Sequence, residues 1–597
     1  MQRENSRNTI IFFVCAALIM GFYYFAVMKP QADQQRAARI ATAEMSQEAG
    51  TAVGDAEATL AGGAFVTDRS AALGAAGRVQ IETGTVKGSL SLLGSRIDDL
   101  FLTQYKQELG SDAPVELFRP QGMEHAYFAQ FGWRGENVAG GVPGPNTVWT
   151  LSKGDKLTPS TPVELMWDNG NGLRFTRNIS VDEQYLFTVK DTVANLGATS
   201  ITIAPYGRVE RQGIADDLGK QMISHEGAIG TFGQGTSYST EQIKYKDWAK
   251  KARVEKTSTG GWMGISDKYW LAALIPAQDE KIDARFTVRN VQNVDVHEAN
   301  MLGAAHIIAP GKQITETQRL FAGVKRNEIL KSYEESLGLP RFVYAIDWGM
   351  FWFLTRPIFA VLEFFFGLLG NFGLAILALT VVVKLVLFPL ANKSYASMSK
   401  MRMLQPKLEE LKKKHGKDPQ KQQQEMMALY QREKINPLAG CLPIVVQIPV
   451  FYALYKVLFV TIEMRHAPFF GWIKDLSAKD PTTIWNLFGA IPFDPAAIPL
   501  LGGLLGGPLH LGVLPLIYGL TMWLQMSMNP PAQDPVQRQI FALMPLVFTF
   551  IMAPFAAGLL IYWAWNNILS ILQQYVIMHK FKAENPIDTF FARFKKG

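Results

Sequence analysis

Cysteine is nearly absent from this chain of 597 residues: Cys15 and Cys441 are the only two, and both lie within apolar runs. That excludes a disulfide framework, so an exported domain must rest on its own hydrophobic core. No glycine-rich loop ending in Gly-Lys-Ser/Thr occurs, which argues against a P-loop nucleotide site. Repeated halves with broken helices in corresponding places are also missing, which argues against a secondary transporter. Histidine is sparse. His125, His225, His297 and His306 fall in no recognisable catalytic spacing and read as ordinary surface residues. The net charge of +7 is small, so where the basic residues lie matters more than their sum.

What the chain does have is two contrasting populations. The first 29 residues carry Arg3 and Arg7 ahead of an apolar run long enough to cross a hydrocarbon core of ~30 Å. The following KPQADQQRAAR is a poor cleavage site, so residues 1–29 read as an uncleaved signal-anchor helix. Residues 30–62, rich in Ala, Gln, Glu and Gly, read as a linker. Residues 63–340 show short alternating runs broken by Gly, Pro, Asn and Asp, such as 163–167 before DNGNG. That pattern predicts a large antiparallel β-sandwich, closed by a helix near 325–337.

Beyond residue 340 long apolar runs dominate. Five further crossing helices are expected at 371–391, 441–462, 511–529, 540–555 and 556–578, making six with the anchor. Between them fall a loop at 463–510, a short loop at 530–539 and a basic tail at 579–597. The apolar stretch within 341–370 is ambiguous, since it holds Arg356, Pro357 and Glu363 among aromatic residues. Charge placement decides it. Residues 392–440 carry eleven Lys and Arg, from Lys393 to Lys434, and such a loop prefers the cytoplasm. The 341–370 segment is therefore expected to lie flat at the interface, leaving both termini cytoplasmic and residues 30–340 periplasmic. The fifth crossing is about 15 residues, or ~22 Å, short enough to thin the bilayer around it.

The basic loop reads as two amphipathic helices separated by His415-Gly416 and restarted by Asp418-Pro419, a helical hairpin. Met398, Met401, Met426 and Met427 either pack the hairpin on itself or offer an adaptable surface to varied apolar clients and partners. Within 371–391 stands Lys384, about 10 Å from the cytoplasmic end of its helix. A charge at mid-bilayer costs on the order of 2.5–3.5 kcal/mol, so the lysine must snorkel, pair or face water. No Asp or Glu lies at matching depth in the other segments. Thr380 shares its helix face, and Gln447, Gln525, Asn566, Asn567 and Gln573 place further polar groups at membrane depth. Together these predict a wetted, positively charged cavity between helices.

The runs MSKMRMLQPKLEELKKKHG, QEMMALYQREKINPLAGCLPIVVQIPVFYALY and AAGLLIYWAWNNILSILQQYVI resemble the YidC/Oxa insertase family. WDNGNGLRFTRNISVDEQYLFTV resembles the periplasmic domain of its Gram-negative members. The resemblance implies an α-helical membrane protein whose last five crossings form the insertase core, with a periplasmic β-super-sandwich of galactose-mutarotase-like type. It implies no covalent reaction and no cofactor. It also implies a groove open to cytoplasm and lipid, its charge on Lys384, with Thr380, Ile448, Phe451 and Trp563 at client-contact positions. Many relatives carry arginine where Lys384 stands and tyrosine where Trp563 stands. The implied partners are nascent membrane proteins, the Sec translocon, the ribosome and the phospholipid bilayer, without DNA. Two other functions fit parts of the sequence: a membrane-anchored periplasmic carbohydrate-binding protein or enzyme, and a channel or transporter.

Overall fold

The computed structural model describes residues 68–74, 76–215, 218, 224–415, 418–433, 442–507, 509–529, 535–583 and 585–589. The expected anchor helix at 1–29, the linker at 30–62 and residues 584 and 590–597 of the basic tail lie outside the described residues. The chain divides into two compact units, Met1–Ile346 and Asp347–Gly597.

The first unit is built on an eleven-stranded and a nine-stranded sheet. Seven strands matter below: β1 Leu173–Val181, β2 Leu186–Asn195, β3 Ile201–Gln212, β4 Lys281–Val291, β5 Val294–Leu302, β6 His306–Ile308 and β7 Gln313–Val324. Strand β1 alternates buried and half-exposed positions along its length, as a strand with one face on a core should. In the nine-stranded sheet β2 lies between β1 and β7, with Val189 opposite Ile179 and Gln318. In the larger sheet β3 pairs with β5 and β6, and β4 pairs with β5.

A buried ionic knot ties the two sheets. Arg177 Nε and Nη2 each donate to Asp191 at 2.7 Å, and Arg177 Nη1 donates to the Phe131 carbonyl oxygen at 3.0 Å. Trp133 Nε1 completes the carboxylate at 2.8 Å. Full hydrogen bonding is what makes a charge pair tolerable at this burial.

Two histidines differ from the surface placement expected of them. His225 and His297 are 3% and 1% exposed. His297 sits against the rings of Tyr245 and Trp248, with centroids 5.1 and 5.2 Å away. Its strand position faces the core, and sequence spacing alone did not reveal which face that would be. After the last strand comes helix α1, Asn327–Ser336, which buries Ile329, Leu330 and Tyr333.

The second unit is helical: α2 Trp352–Leu369, α3 Phe372–Met403, α4 Gln405–Lys414, α5 Pro419–Arg432, α6 Leu442–Val460, α7 Val513–Ser527, α8 Pro535–Met552 and α9 Ala557–Lys580. Helices α2 and α3 are long and apolar enough to cross a membrane. Large apolar side chains face outward all round, among them Phe364, Leu385, Val386, Leu520, Leu546 and Val576. An apolar surface this extensive suits hydrocarbon rather than water.

Two helix boundaries depart from the sequence reading. Helix α3 does not stop near residue 391 but continues for 32 residues, about 48 Å, into the first half of the basic loop. It breaks at Leu404 because Pro406 cannot donate its backbone hydrogen bond and crowds the preceding turn. Helix α8 begins at Pro535, five residues earlier than expected. Its added turn is polar (PVQRQ), while the apolar portion from Ile540 still spans only about 20 Å.

Candidate functional site

A cavity of about 270 Å³ opens between α3, α6, α7 and α9. Lys384 enters it from α3, Gln447, Ile448 and Phe451 from α6, and Trp563, Asn566, Ser570 and Gln574 from α9. These four α9 residues follow a spacing of three or four, so they stack along one helix face. Leu387, Ala391, Tyr395 and Met398 extend the wall along α3 toward the α4–α5 hairpin.

Lys384 Nζ donates to Ser570 Oγ at 2.6 Å, and the Ser570 hydroxyl donates in turn to the Asn566 carbonyl oxygen at 2.8 Å. The lysine is thus turned inward across the cavity. Among the described residues no carboxylate lies within ion-pair distance of its ammonium. Below it, toward the hairpin, Gln574 Nε2 donates to Asn529 Oδ1 at 3.2 Å. Gln574 Oε1 is sealed from solvent without a hydrogen-bond partner among the described residues. A polar wall with unfilled hydrogen-bonding capacity favours water in this space.

Aromatic rings close the opposite end. Phe451 stacks on Trp563 at 4.6 Å and Trp563 on Tyr518 at 5.3 Å. Gln447 Nε2 donates to Tyr562 Oη at 2.8 Å beside them. Such stacked pairs are worth about 0.5–1.5 kcal/mol each beyond burial. The cavity is therefore polar toward the hairpin and apolar at its far end.

Not every residue singled out in the sequence arrives here. Lys384, Gln447, Ile448, Phe451, Trp563 and Asn566 line the cavity. Thr380 does not: it is 1% exposed, and its hydroxyl donates back to the Ile376 carbonyl oxygen. Asn567 turns away too, donating to Thr521 Oγ1 at 3.2 Å between α9 and α7. Of the methionines, Met398 lines the cavity, Met401 and Met426 pack against Leu404, Leu408 and Tyr430 inside the hairpin, and Met427 is exposed. Sequence reasoning missed Ser570, Gln574 and Tyr395. Their spacing with Asn566 on α9, and one turn beyond Ala391 on α3, was the available signal.

It also missed Lys456. Four residues before the end of α6, this side chain is 2% exposed and donates to Asp347 Oδ2 at 2.6 Å. Asp480, fully buried, accepts from Thr482, Trp472 and the Leu514 backbone N–H that opens α7. These acidic groups tie α6 and α7 at the end farthest from the hairpin.

The family model described as "60Kd inner membrane protein" matches residues 364–584, and one described as "YidC periplasmic domain" matches residues 78–361. The membrane protein insertase YidC of Caulobacter vibrioides is 52% identical over all of this chain and 99% of its own length. The chain belongs to the YidC family of membrane protein insertases. The YidC of Maricaulis maris is 47% identical over 99% of both chains. A crystal structure titled as an active YidC insertase covers 83% of this chain and 91% of its own. Its identity is 17% and its TM-score 0.33. As a YidC-family protein the chain is an inner-membrane insertase that acts on nascent membrane proteins, and it is not an enzyme.

Proposed function

We propose that insertion proceeds through the cavity around Lys384, which receives the hydrophilic extracellular tail of a client on its way across the bilayer. The observation that carries this reading is the inward-turned ammonium, held by a neutral hydroxyl rather than by a carboxylate. A polar tail crossing hydrocarbon must strip its backbone and side chains of water. A wet cavity partway through shortens the dry path. A cation resting on serine is available to an incoming Asp or Glu, and the lowered dielectric strengthens that attraction relative to bulk water. Arginine at the same place would add a planar fork; lysine supplies a point charge.

The apolar part of the client leaves sideways, past Ile448, which is 58% exposed beside the cavity. Burial of its side chains in lipid drives that step. In this reading the hairpin end faces the cytoplasm, following the Lys and Arg of residues 392–440. Six crossings then leave both termini cytoplasmic and the β-unit periplasmic, with α2 flat on the outer leaflet. The hairpin, with Met427 exposed, meets the ribosome or the emerging chain, and the Sec translocon is a further partner. The short apolar part of α8 thins the adjacent bilayer.

Photo-crosslinkers placed singly at Ile448, Phe451 and Trp563 in the membrane-embedded protein test the route. Each is expected to capture a stalled nascent membrane protein, while probes at Thr380 and Asn567 capture far less. Equal capture at all five positions refutes the route.

A further inference from the structure

Far from the insertase cavity, the β-unit brings together Glu280, His306 and Glu316, whose ligand atoms all lie within 4.8 Å of one another. We propose that these three side chains form a binding site for a zinc-class divalent cation that clips the two sheets together.

The three residues reach this point from separate places in the fold. Glu280 immediately precedes β4 and His306 opens β6, opposite Ile203 of β3, both in the eleven-stranded sheet. Glu316 comes from β7 of the nine-stranded sheet, opposite Asp191. A shared ligand here would therefore cross-link the layers, not merely decorate one of them.

Two further observations point to a cation. His306 Nε2 is sealed from solvent without a hydrogen-bond partner among the described residues, and it lies 3.3 Å from Glu316 Oε2. Glu280 and Glu316 are both half-buried, and among the described residues neither is ion-paired to Lys or Arg. Glu280 Oε1 accepts one backbone donor, Ala304 N–H at 3.1 Å, which fixes the carboxyl in place. Two neighbouring carboxylates with no cation cannot both ionise comfortably.

A divalent cation between them neutralises both carboxylates at once. The donor set selects among metals. One imidazole nitrogen with two carboxylate oxygens suits zinc, with bonds of about 2.0–2.2 Å and a fourth position left for water. Calcium and magnesium prefer all-oxygen shells. The His306 Nε2–Glu316 Oε2 spacing of 3.3 Å already matches a tetrahedral edge of about 3.4 Å for such bonds.

The test uses the full-length protein, purified in detergent and stripped with a chelator. Titration with zinc chloride at neutral pH is expected to show one equivalent that is absent from a Glu280→Gln/His306→Gln/Glu316→Gln variant. His306→Gln alone, at a partly exposed position, should weaken that equivalent by more than about 10-fold, since even the outer partners of metal ligands are worth that much. Cobalt(II) added to the unmodified protein should give the ligand-field absorption of a four-coordinate site. Equal zinc uptake by unmodified and triple-variant protein overturns the proposal. So does an unmodified protein whose cobalt(II) shows only the octahedral aqua spectrum, a readout that needs no variant to fold.

Discussion

Lys384 and Ser570 meet at 2.6 Å across the space between α3 and α9, the ammonium donating inward to a hydroxyl that is itself committed to the Asn566 carbonyl. A lysine at this depth has a stem long enough to reach toward headgroups instead. The inward rotamer places the charge in the cavity, and the serine holds it there without cancelling it.

Reversing that charge is the most direct test. Lys384→Glu is expected to reduce insertion of clients with acidic extracellular tails by at least about 10-fold, the equivalent of 1.4 kcal/mol. Lys384→Arg should retain most activity. Insertion of a reporter with an acidic tail, compared with one whose tail is neutral, reads the difference. Unchanged insertion with glutamate present would end the electrostatic account.

Ser570→Ala should behave differently. It removes one neutral acceptor, worth about 0.5–1.5 kcal/mol, and leaves the charge in the cavity with water to solvate it. Insertion should fall modestly, well short of the loss caused by Lys384→Glu. Pulse-labelled insertion assays run side by side on the two variants check the ranking.

The Lys456–Asp347 pair is expected to matter for stability. Lys456→Ala leaves Asp347 largely buried without its cation, and breaking such a pair costs about 3–5 kcal/mol. Thermal unfolding in detergent should show the loss. Lys456→Met combined with Asp347→Asn should recover much of it, because neither remaining side chain carries a charge.

In the β-unit, Arg177→Met strands Asp191 with only Trp133 Nε1 as its remaining partner in the knot. A loss of similar size, about 3–5 kcal/mol, is expected in the unfolding of this unit. Near-ultraviolet circular dichroism, which sees the packed tryptophans, follows it.

Acid should weaken the same unit through His297. Burial holds its imidazole neutral and pushes its pKa down to about 4. The unfolded chain, with a histidine near 6.5, takes up a proton that the folded state resists. Stability from this residue is complete above about pH 6.5 and is lost as pH falls toward 4, by roughly 3 kcal/mol in all. His297→Phe should remove the acid-side loss, seen as a flatter profile of unfolding midpoint between pH 6.5 and 4.

Much of this architecture was written into local pattern. Alternation at period two marks strands such as Leu173–Val181, and unbroken apolar runs mark the helical unit, because burial and hydrocarbon each impose a composition that one sequence can display. Lys384 was legible for the same reason: a charge in an apolar run is conspicuous before any fold is known. Helix length was less legible. Apolarity ends near residue 391, yet α3 runs on to Met403, since hydrogen bonding along a helix does not stop where the solvent changes.

What only the tertiary structure decided was which side chains meet. Thr380 shares a helix face with Lys384, yet its hydroxyl turns back to its own backbone, while Ser570, 186 residues away, becomes the lysine's partner. Lys456 finds Asp347, and His306 finds Glu280 and Glu316, across separations that no spacing rule reaches. Local sequence sets the period and the solvent of each element. The pairing of one element's face with another's depends on how the whole chain packs, and that is a property of the fold alone.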